Sequence, residues 1–235
     1  MMRTPLDCSE TSDDPGSVPR VLVLLCTFNE RQNLPEVLAG VWQTLPLADV
    51  LVVDDNSPDG TGAWALQAQA QEPRLNVLVR SGKLGLGSAL RAGIAWCLER
   101  DYDFLINLDA DQSHDPRAAD RLLEPCLASP ERMVVAIGSR YVAGGATTGL
   151  SFARRSISRL LNGYATALLR LPVHDCSGSY RCYPMKLLKK LDLSQLRCNG
   201  YGFLEEVLVY LARAGAERPL GGEDRTQGVR RRSDP

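Results

Sequence analysis

Two acidic motifs have the residue types and the spacing to hold a divalent cation and the phosphates that it carries. The first is DDNSPDG, from Asp54 to Gly60, and the second is DAD, from Asp109 to Asp111. Residues two apart on an extended segment point to the same side, so Asp109 and Asp111 can reach one Mg²⁺ or Mn²⁺ together. The second motif therefore predicts a cation that in turn holds a diphosphate.

Structural roles are open to the same carboxylates. Acidic residues at the end of a strand can be solvated, or they can cap the helix that follows. For Asp59 we predict such a cap, because it lies in a turn, SPDG, before a helical segment. Asp54 and Asp55 are harder to explain as caps, which favours a ligand for this pair.

Polar and glycine-rich segments accompany these motifs. The cluster TFNE, from Thr27 to Glu30, closes the first apolar strand, where a nucleotide base and ribose lie in doubly wound folds. The segment SGKLGLGS, from Ser81 to Ser88, lacks the GxxxxGKS/T spacing of a phosphate loop. We expect its glycines to let the backbone pass close to a ligand or to a neighbouring helix.

The elements that would position these residues alternate from about Arg20 onward, with short connections between apolar, β-rich runs and segments of helical spacing. The predicted strands are Val21–Cys26, Val50–Val53, Leu75–Val79, Phe104–Leu108 and Met133–Ile137. The predicted helices are Leu34–Leu45, Thr61–Gln71, Ser88–Arg100 and Arg117–Leu127. This order predicts an α/β fold with a mostly parallel sheet flanked by helices on both faces.

The pattern is less regular after Gly138. Residues 143–149 are rich in Gly and Thr, which is typical of a mobile loop. An amphipathic helix with arginines on its polar face is predicted over Phe152–Arg170, and another helix, Phe203–Ala214, follows the short segment Ser179–Tyr183. The first of these helices suits either lipid headgroups at a membrane interface or an ordinary surface position over the sheet.

Composition and charge narrow the class of protein. The 235 residues are 44% hydrophobic, which suffices for one large domain, expected over residues 20–228 between a disordered acidic tail (1–19) and a basic tail (229–235). The net charge of -1 argues against a protein devoted to nucleic acid. Seven cysteines without CxxC spacing, no signal peptide and no apolar run of spanning length predict a cytoplasmic protein, at most peripheral to a membrane.

Eight short motifs, in this order along the chain, resemble those of the polyprenol-phosphate and dolichol-phosphate mannosyltransferases of glycosyltransferase family 2. The motifs are TFNE, DDNSPDGT, GKLGLGSA, LDADQSHDP, IGSRYV, RRSISR, DCSGSYRCY and GYGFLEE. The resemblance extends from about Val21 to Gly228 and implies the Rossmann-like GT-A fold. It also implies transfer of mannose from GDP-mannose to a polyprenyl phosphate, such as dolichyl phosphate, with inversion at the anomeric carbon. Expected partners are this donor, this acceptor, the membrane surface and membrane-anchoring subunits.

The resemblance further implies which residues bind the nucleoside of the donor. Thr27, Asn29 and Glu30 match motif positions along the guanosine pocket. Asp54 or Asp55 matches the position that holds the base or the ribose.

A metal site at the diphosphate is implied in the same way. Asp109 and Asp111 would bind Mg²⁺ or Mn²⁺, with Ala110 beside the donor. The family often has a glutamine two positions after the second aspartate as a third residue on the metal side. Ser113 occupies that place here, and Gln112 lies one position earlier.

Several arginines match family positions that bind phosphate. Arg181 is implied as a ligand of the donor diphosphate, and Arg140, Arg154 and Arg155, with Ser158, as ligands of the acceptor phosphate. The planar guanidinium suits this role because it donates two hydrogen bonds and stays charged.

The C-terminal segment departs from the family. Relatives have a strand resembling EVPIxFxDR followed by GxSK, whereas this chain reads RPLGGEDRTQGVRR. Arg225 still matches an arginine that contacts the donor diphosphate, and Arg231 falls at the place of the lysine. Two alternatives stay open: a UDP-glucose-dependent polyprenyl-phosphate glucosyltransferase, and a catalytically impaired homologue that binds sugar nucleotide without turnover.

The chemistry of such a transfer makes a further prediction. Negative charge grows on the leaving diphosphate, so a divalent cation and guanidinium groups aimed at it lower the barrier. A hydroxyl acceptor would also need a general base. A phosphate acceptor has a second pKa of about 6 and arrives ionised near neutral pH, so no catalytic base is expected.

Overall fold

A six-stranded sheet with helices on both faces organises the chain, in a computed structural model that describes residues 18–129, 131, 133–138, 178–200 and 202–215. The strands are β1 (Val21–Thr27), β2 (Asp49–Asp54), β3 (Leu75–Val79), β4 (Phe104–Asp109), β5 (Ala136–Ile137) and β6 (Arg181–Pro184). The helices are α1 (Leu34–Thr44), α2 (Thr61–Gln69), α3 (Leu86–Leu98), α4 (Ala119–Ala128), α5 (Met185–Leu188) and α6 (Gly202–Arg213), with short 3-10 turns at Pro116–Ala118 and Leu193–Gln195. The predicted α/β class is confirmed.

The sheet has the order β3-β2-β1-β4-β6-β5. Strands β1 to β4 are parallel to one another, as predicted from the alternation of strands and helices. Strand β6 runs antiparallel to both of its neighbours, β4 and β5. The prediction of a mostly parallel sheet is therefore confirmed, and the antiparallel strand inserted before the edge is a feature that the alternation did not indicate.

Each central strand is buried on both faces, which explains why the strands read as continuous apolar runs. In β1, Leu22 and Leu24 belong to a core layer shared with α3 and α6. Val23 and Leu25 of the same strand point the other way, into a layer shared with α1 and α4. The two-residue period of the strand thus divides one apolar run between two core layers.

The glycine-rich segment 81–88 includes the start of a helix. Helix α3 begins at Leu86, two residues before the predicted start, directly after Gly85, which has φ +94°. Gly87 is buried where α3 meets the segment before α6, and its N–H donates to the Asn199 carbonyl at 2.9 Å. Its missing side chain permits the close approach to a neighbouring helix that was expected of these glycines.

Two further predictions concern elements on either side of the undescribed residues. Of the strand predicted over Met133–Ile137, only Ala136–Ile137 forms a continuous strand, with an isolated bridge at Val134. The segment predicted as Ser179–Tyr183 overlaps β6, which ends one residue later, at Pro184. The helix predicted over Phe152–Arg170 and the loop over 143–149 lie outside the described residues. None of the helices in the described ranges combines the length and the apolar composition needed to cross a bilayer.

Candidate active site

The parallel register brings the two acidic motifs to either side of β1. Thr27 pairs with Asp54 of β2, and Cys26 pairs with Asp109 of β4. Because all three strands run in the same direction, their carboxyl ends lie at one edge of the sheet. Both motifs therefore lie at the carboxyl edge of the sheet.

Asp54 is buried and uses both carboxylate oxygens within the protein. Its Oδ1 accepts hydrogen bonds from the Thr27 hydroxyl at 2.9 Å and the Ser57 hydroxyl at 2.6 Å, and its Oδ2 accepts from the Ser57 N–H at 2.9 Å. A Cβ atom on Gly62 would lie 2.6 Å from Oδ2, so the first turn of α2 packs directly on this carboxylate. These contacts make Asp54 an anchor between β1, the turn and α2.

Asp55 is also buried, but its partner is a charge. Arg80 Nη1 lies 2.9 Å from Asp55 Oδ1, and the side chains of this ion pair are 8% and 7% exposed respectively. The Leu84 N–H donates to Asp55 Oδ2 at 3.0 Å. Both oxygens of Asp55 thus have partners within the protein, Oδ1 the Arg80 guanidinium and Oδ2 the Leu84 N–H.

The loop after β1 is tied to the first acidic motif by three backbone donors. The N–H groups of Asn29, Glu30 and Arg31 donate at 3.0 Å to Ser57, Thr61 and Asp59. Asn29 has a left-handed φ of +63°, which asparagine tolerates better than most residues. The cluster TFNE thus forms a fixed loop beside the motif.

Asp59 stabilises the start of α2, but not from the N-cap position that was predicted. Its Oδ1 accepts from the Thr61 N–H at 3.0 Å and from the Thr61 hydroxyl at 2.6 Å. The residue lies one position before the N-cap, which is Gly60, and still satisfies a donor of the first turn.

The second acidic motif ends β4 and enters a tight turn. Asp111 is exposed, and its Oδ1 accepts from the Ser113 N–H at 2.8 Å. Gln112 between them has a left-handed φ of +60°. Ala110 is buried, so its methyl group packs inside while the carboxylates on either side are less covered.

Asp109 is held by a residue from a distant part of the sequence. The Ser179 hydroxyl donates a hydrogen bond to Asp109 Oδ2. Sequence reasoning placed Ser179 at the start of the short segment Ser179–Tyr183, and it did not indicate this contact. The preceding residue of β4 on the same face, Asn107, donates to the Ser179 carbonyl at 2.6 Å.

The electrostatics at this edge favour a cation. The pKa of the Cys26 thiol is raised by its burial and by the negative charges of Asp109 and Asp55, against a smaller opposing effect of the Arg80 guanidinium. Both carboxylates therefore act on the same point at the end of β1. Negative potential at the carboxyl edge is the environment that a divalent ion requires.

The described residues fit a cation that is shared with a ligand. They contain no cluster of three or more His, Cys, Asp or Glu side chains able to enclose an ion. Mg²⁺ is commonly bound by one or two carboxylates, with substrate phosphates and water completing its shell. Asp109 and Asp111 supply that number of carboxylates, and the side chain of Ser113 lies in the same turn.

The structure corrects the prediction for Arg181. Its side chain is fully buried, Nε donates to the Gly178 carbonyl at 2.6 Å, and Nη1 donates to the Leu204 carbonyl at 2.7 Å. A guanidinium that is buried and bonded to backbone carbonyls joins β6 to α6. Arg181 thus has a structural role in place of the predicted contact with the donor diphosphate.

The remaining predicted phosphate ligands lie outside the described residues. They are Arg140, Arg154, Arg155, Ser158, Arg225 and Arg231. The structure therefore describes the nucleoside and metal sides of the predicted site.

Lys83 is a further residue at this edge that sequence reasoning missed. Its Nζ lies 4.0 Å from the centre of the Phe28 ring, inside the TFNE cluster. This cation–π contact joins the glycine-rich segment to the loop after β1. The lysine in GKLGLG was the available signal, because it is the one cation in that motif.

Comparisons with known proteins show what this chain is similar to. The family model described as glycosyl transferase family 2 matches residues 22–192. A polyprenol monophosphomannose synthase from Mycolicibacterium smegmatis is 42% identical over 195 residues, which are 81% of this chain and 72% of the relative. An undecaprenyl-phosphate mannosyltransferase from Micrococcus luteus is 40% identical over 220 residues, which are 89% of each chain.

A solved structure has the same fold. Glucosyl-3-phosphoglycerate synthase from Mycobacterium tuberculosis, in complex with Mn²⁺, UDP and phosphoglyceric acid, aligns with a TM-score of 0.61 at 19% identity. The alignment covers 86% of this chain and 67% of that chain. At this level of identity the similarity establishes the fold alone.

Proposed function

The chain belongs to glycosyltransferase family 2, and from this membership we propose that it transfers mannose from GDP-mannose to a polyprenyl phosphate. The reaction would be metal-dependent and would invert the anomeric carbon. Support for mannose and for a polyprenyl phosphate comes from the two relatives at 42% and 40% identity, whose names state that sugar and that class of acceptor.

The observation that carries the proposal is the placement of the two acidic motifs across β1. Strands in a sheet are about 4.8 Å apart, so the ends of β2 and β4 are separated by roughly 10 Å, two such spacings. A nucleoside diphosphate can bridge this distance. We assign its nucleoside to the loop of Thr27, Asn29 and Glu30 with Asp55, and its diphosphate to the end of β4.

Asp55 is a better candidate than Asp54 for the nucleoside. Asp54 accepts three hydrogen bonds from Thr27 and Ser57, whereas Asp55 lies just beyond the end of β2 and pairs with Arg80. A ribose hydroxyl donates readily to a carboxylate. We therefore expect Asp54 to hold the pocket together and Asp55 to contact the ligand.

Asp109, Asp111 and Ser113 would hold Mg²⁺ or Mn²⁺ beside the diphosphate. When bound, the cation would offset the charge that develops on the leaving group. Ala110 would contribute its backbone beside the donor. Arg225 and Arg231 are proposed to donate to the same phosphates, since guanidinium groups bind phosphate oxygens in pairs.

The acceptor side is proposed from sequence positions outside the described residues. Arg140, Arg154, Arg155 and Ser158 would bind the polyprenyl phosphate. This nucleophile is already ionised near neutral pH, because its second pKa is about 6. The chain therefore needs residues that orient two phosphates, and we assign no residue as a catalytic base.

A membrane surface is the proposed site of action. A polyprenyl acceptor resides in a bilayer, and basic side chains on an interfacial helix are attracted to anionic headgroups. Membrane-anchoring subunits would likewise hold the protein at the bilayer surface.

A lipid-extraction assay tests the proposal. Purified protein is incubated with GDP-[¹⁴C]mannose, Mn²⁺ and a short polyprenyl phosphate, with a parallel reaction in EDTA. We expect label in the organic phase that disappears in EDTA.

The same assay distinguishes the alternatives. Label from UDP-[¹⁴C]glucose, without label from GDP-mannose, would show that the transferred sugar is glucose and not mannose. Retained binding of nucleotide without transfer of either sugar would identify a catalytically impaired homologue and contradict the proposed activity.

A further inference from the structure

The segment GSYR, from Gly178 to Arg181, contacts the end of β4 and the loop that follows it at several points. In the antiparallel pair of β4 and β6, Asn107 is opposite Arg181. Continuing that register by two residues sets Ser179 opposite Asp109. The strand that the parallel pattern did not predict thus places a hydroxyl directly across from a predicted metal ligand.

Both the hydroxyl and the backbone carbonyl of Ser179 form hydrogen bonds with β4. Its hydroxyl donates to Asp109 Oδ2, and its carbonyl accepts from Asn107 Nδ2 at 2.6 Å. Both Ser179 and Asn107 are buried. Hydrogen bonds of a hydroxyl to a charged carboxylate are stronger than neutral ones, and burial protects this one from competing water.

The next two residues, Tyr180 and Arg181, form hydrogen bonds that hold the neighbouring segments in place. The Tyr180 hydroxyl donates to the Asp115 carbonyl at 3.2 Å, and its ring lies 5.2 Å from the ring of His114. The guanidinium of Arg181 donates to the Gly178 and Leu204 carbonyls, which ties the segment to α6. The loop that carries Asp111 is therefore held at its beginning through Ser179 and at its end through Tyr180.

We propose that Ser179 is a positioning residue for the divalent cation, acting through Asp109. This inference rests on the proposed function, in which Asp109 is a metal ligand. The hydroxyl fixes the carboxylate in one orientation, so the side chain is ordered during folding rather than when the cation binds. Asn107 contributes by holding the Ser179 backbone in place.

Binding of Mn²⁺ followed by electron paramagnetic resonance tests this role without turnover. The full chain is titrated with Mn²⁺ in the presence of GDP, and the signal of free Mn²⁺ gives the Kd. For Ser179→Ala we expect Mn²⁺ affinity to fall by about 10- to 100-fold, the usual effect of losing a residue that orients a metal ligand. Ser179→Thr keeps the hydroxyl and should retain most of the affinity.

Two controls separate positioning from a general loss of structure. Ser194→Ala removes a comparable hydroxyl-to-carboxylate bond, from Ser194 to Asp192 at 2.6 Å on an exposed turn, and should leave Mn²⁺ affinity unchanged. Binding of GDP in EDTA should be the same for Ser179→Ala and the wild type. In the Asp109→Asn background, Ser179→Ala should have little further effect, because both changes act on one interaction.

The outcomes are distinguishable from those of the activity assay. Wild-type Mn²⁺ affinity in folded Ser179→Ala would overturn the positioning role alone, as would an equal loss of metal-free GDP binding. Absence of Mn²⁺ binding by the wild-type chain would overturn this role together with the proposed metal dependence.

Discussion

Asp54 and Asp55 are neighbours in sequence with different surroundings. Asp54 accepts three hydrogen bonds from neutral donors of Thr27 and Ser57, whereas Asp55 faces the guanidinium of Arg80. A buried carboxylate requires hydrogen bonds or a countercharge, because desolvation of an isolated charge is very costly. Asp54 meets this requirement with hydrogen bonds, and Asp55 meets it mainly with an ion pair.

The ion pair predicts a large effect of removing Arg80. Arg80→Ala leaves Asp55 buried without its countercharge and should lower the free energy of unfolding by ~3–5 kcal/mol. Urea denaturation measures the change. Arg117→Ala is the matched control, since Arg117 lies 3.8 Å from Asp115 with 50% of its side chain exposed, and it should cost less than about 1 kcal/mol. Equal effects of the two substitutions would contradict a stabilising role for the buried pair.

Asp111 permits a test of the metal assignment with little risk to the fold. Its side chain is exposed, and an asparagine can still accept the hydrogen bond from the Ser113 N–H. Asp111→Asn should leave the melting temperature close to that of the wild type. It should lower mannosyl transfer by roughly 100-fold or more, because a cation at the diphosphate supplies several kcal/mol of transition-state stabilisation. Unchanged turnover would remove Asp111 from the metal site.

At the scale of elements, β5 depends on β6 for its place in the sheet. Strand β5 pairs with β6 through Ala136 and Ile137 only, and β6 itself comprises just Arg181–Pro184. Pro184 ends β6 and is opposite Phe104 of β4, although it has no N–H to donate to the ladder. The apolar run from Met133 is buried, as predicted, and Val134 forms an isolated bridge before β5 begins.

Close packing of α3 against the segment before α6 makes Gly87 critical. A Cβ atom at Gly87 would lie 2.6 Å from Phe203 Cβ and 2.8 Å from the Gly200 carbonyl oxygen. Gly87→Ala should therefore lower the free energy of unfolding by ~1–3 kcal/mol, as overpacking commonly does. Gly82→Ala is the control, because a Cβ there meets nothing within 4 Å. Chemical denaturation of both variants should show a loss at Gly87 alone.

For the molecule as a whole, surface carboxylates predict how stability depends on pH. A hydrogen bond from the Arg74 side chain holds the pKa of Glu72 down at about 2, and the Ser194 hydroxyl lowers that of Asp192. A carboxyl with a lowered folded-state pKa stabilises the protein above its unfolded value, and that contribution is lost as the pH falls. The window for Glu72 runs from about 4.5 down to about 2.

Thermal melting between pH 5 and pH 2 measures this dependence. The melting temperature of the wild type should decrease as the pH falls through this window. Glu72→Gln cannot titrate and should show a shallower decrease. Parallel curves for the two proteins would exclude a contribution from the pair of Glu72 and Arg74.

Local patterns in the sequence were sufficient for much of this architecture. The strand runs, the helices between them and the position of DDNSPDG and DAD after β2 and β4 all follow from periodicities within a few residues. The motifs likewise indicated the family that the comparisons establish. These features are encoded locally, so each can be inferred without knowing what packs against it.

Only the tertiary structure decided which partners the polar side chains have. Ser179 and Asp109 are 70 positions apart, and their contact exists because β6 pairs antiparallel with β4. The same pairing buries Arg181, which the resemblance to the family assigned to a phosphate. A guanidinium or a hydroxyl is chemically suited to a ligand and to the backbone alike, and the choice is made by long-range strand order and burial.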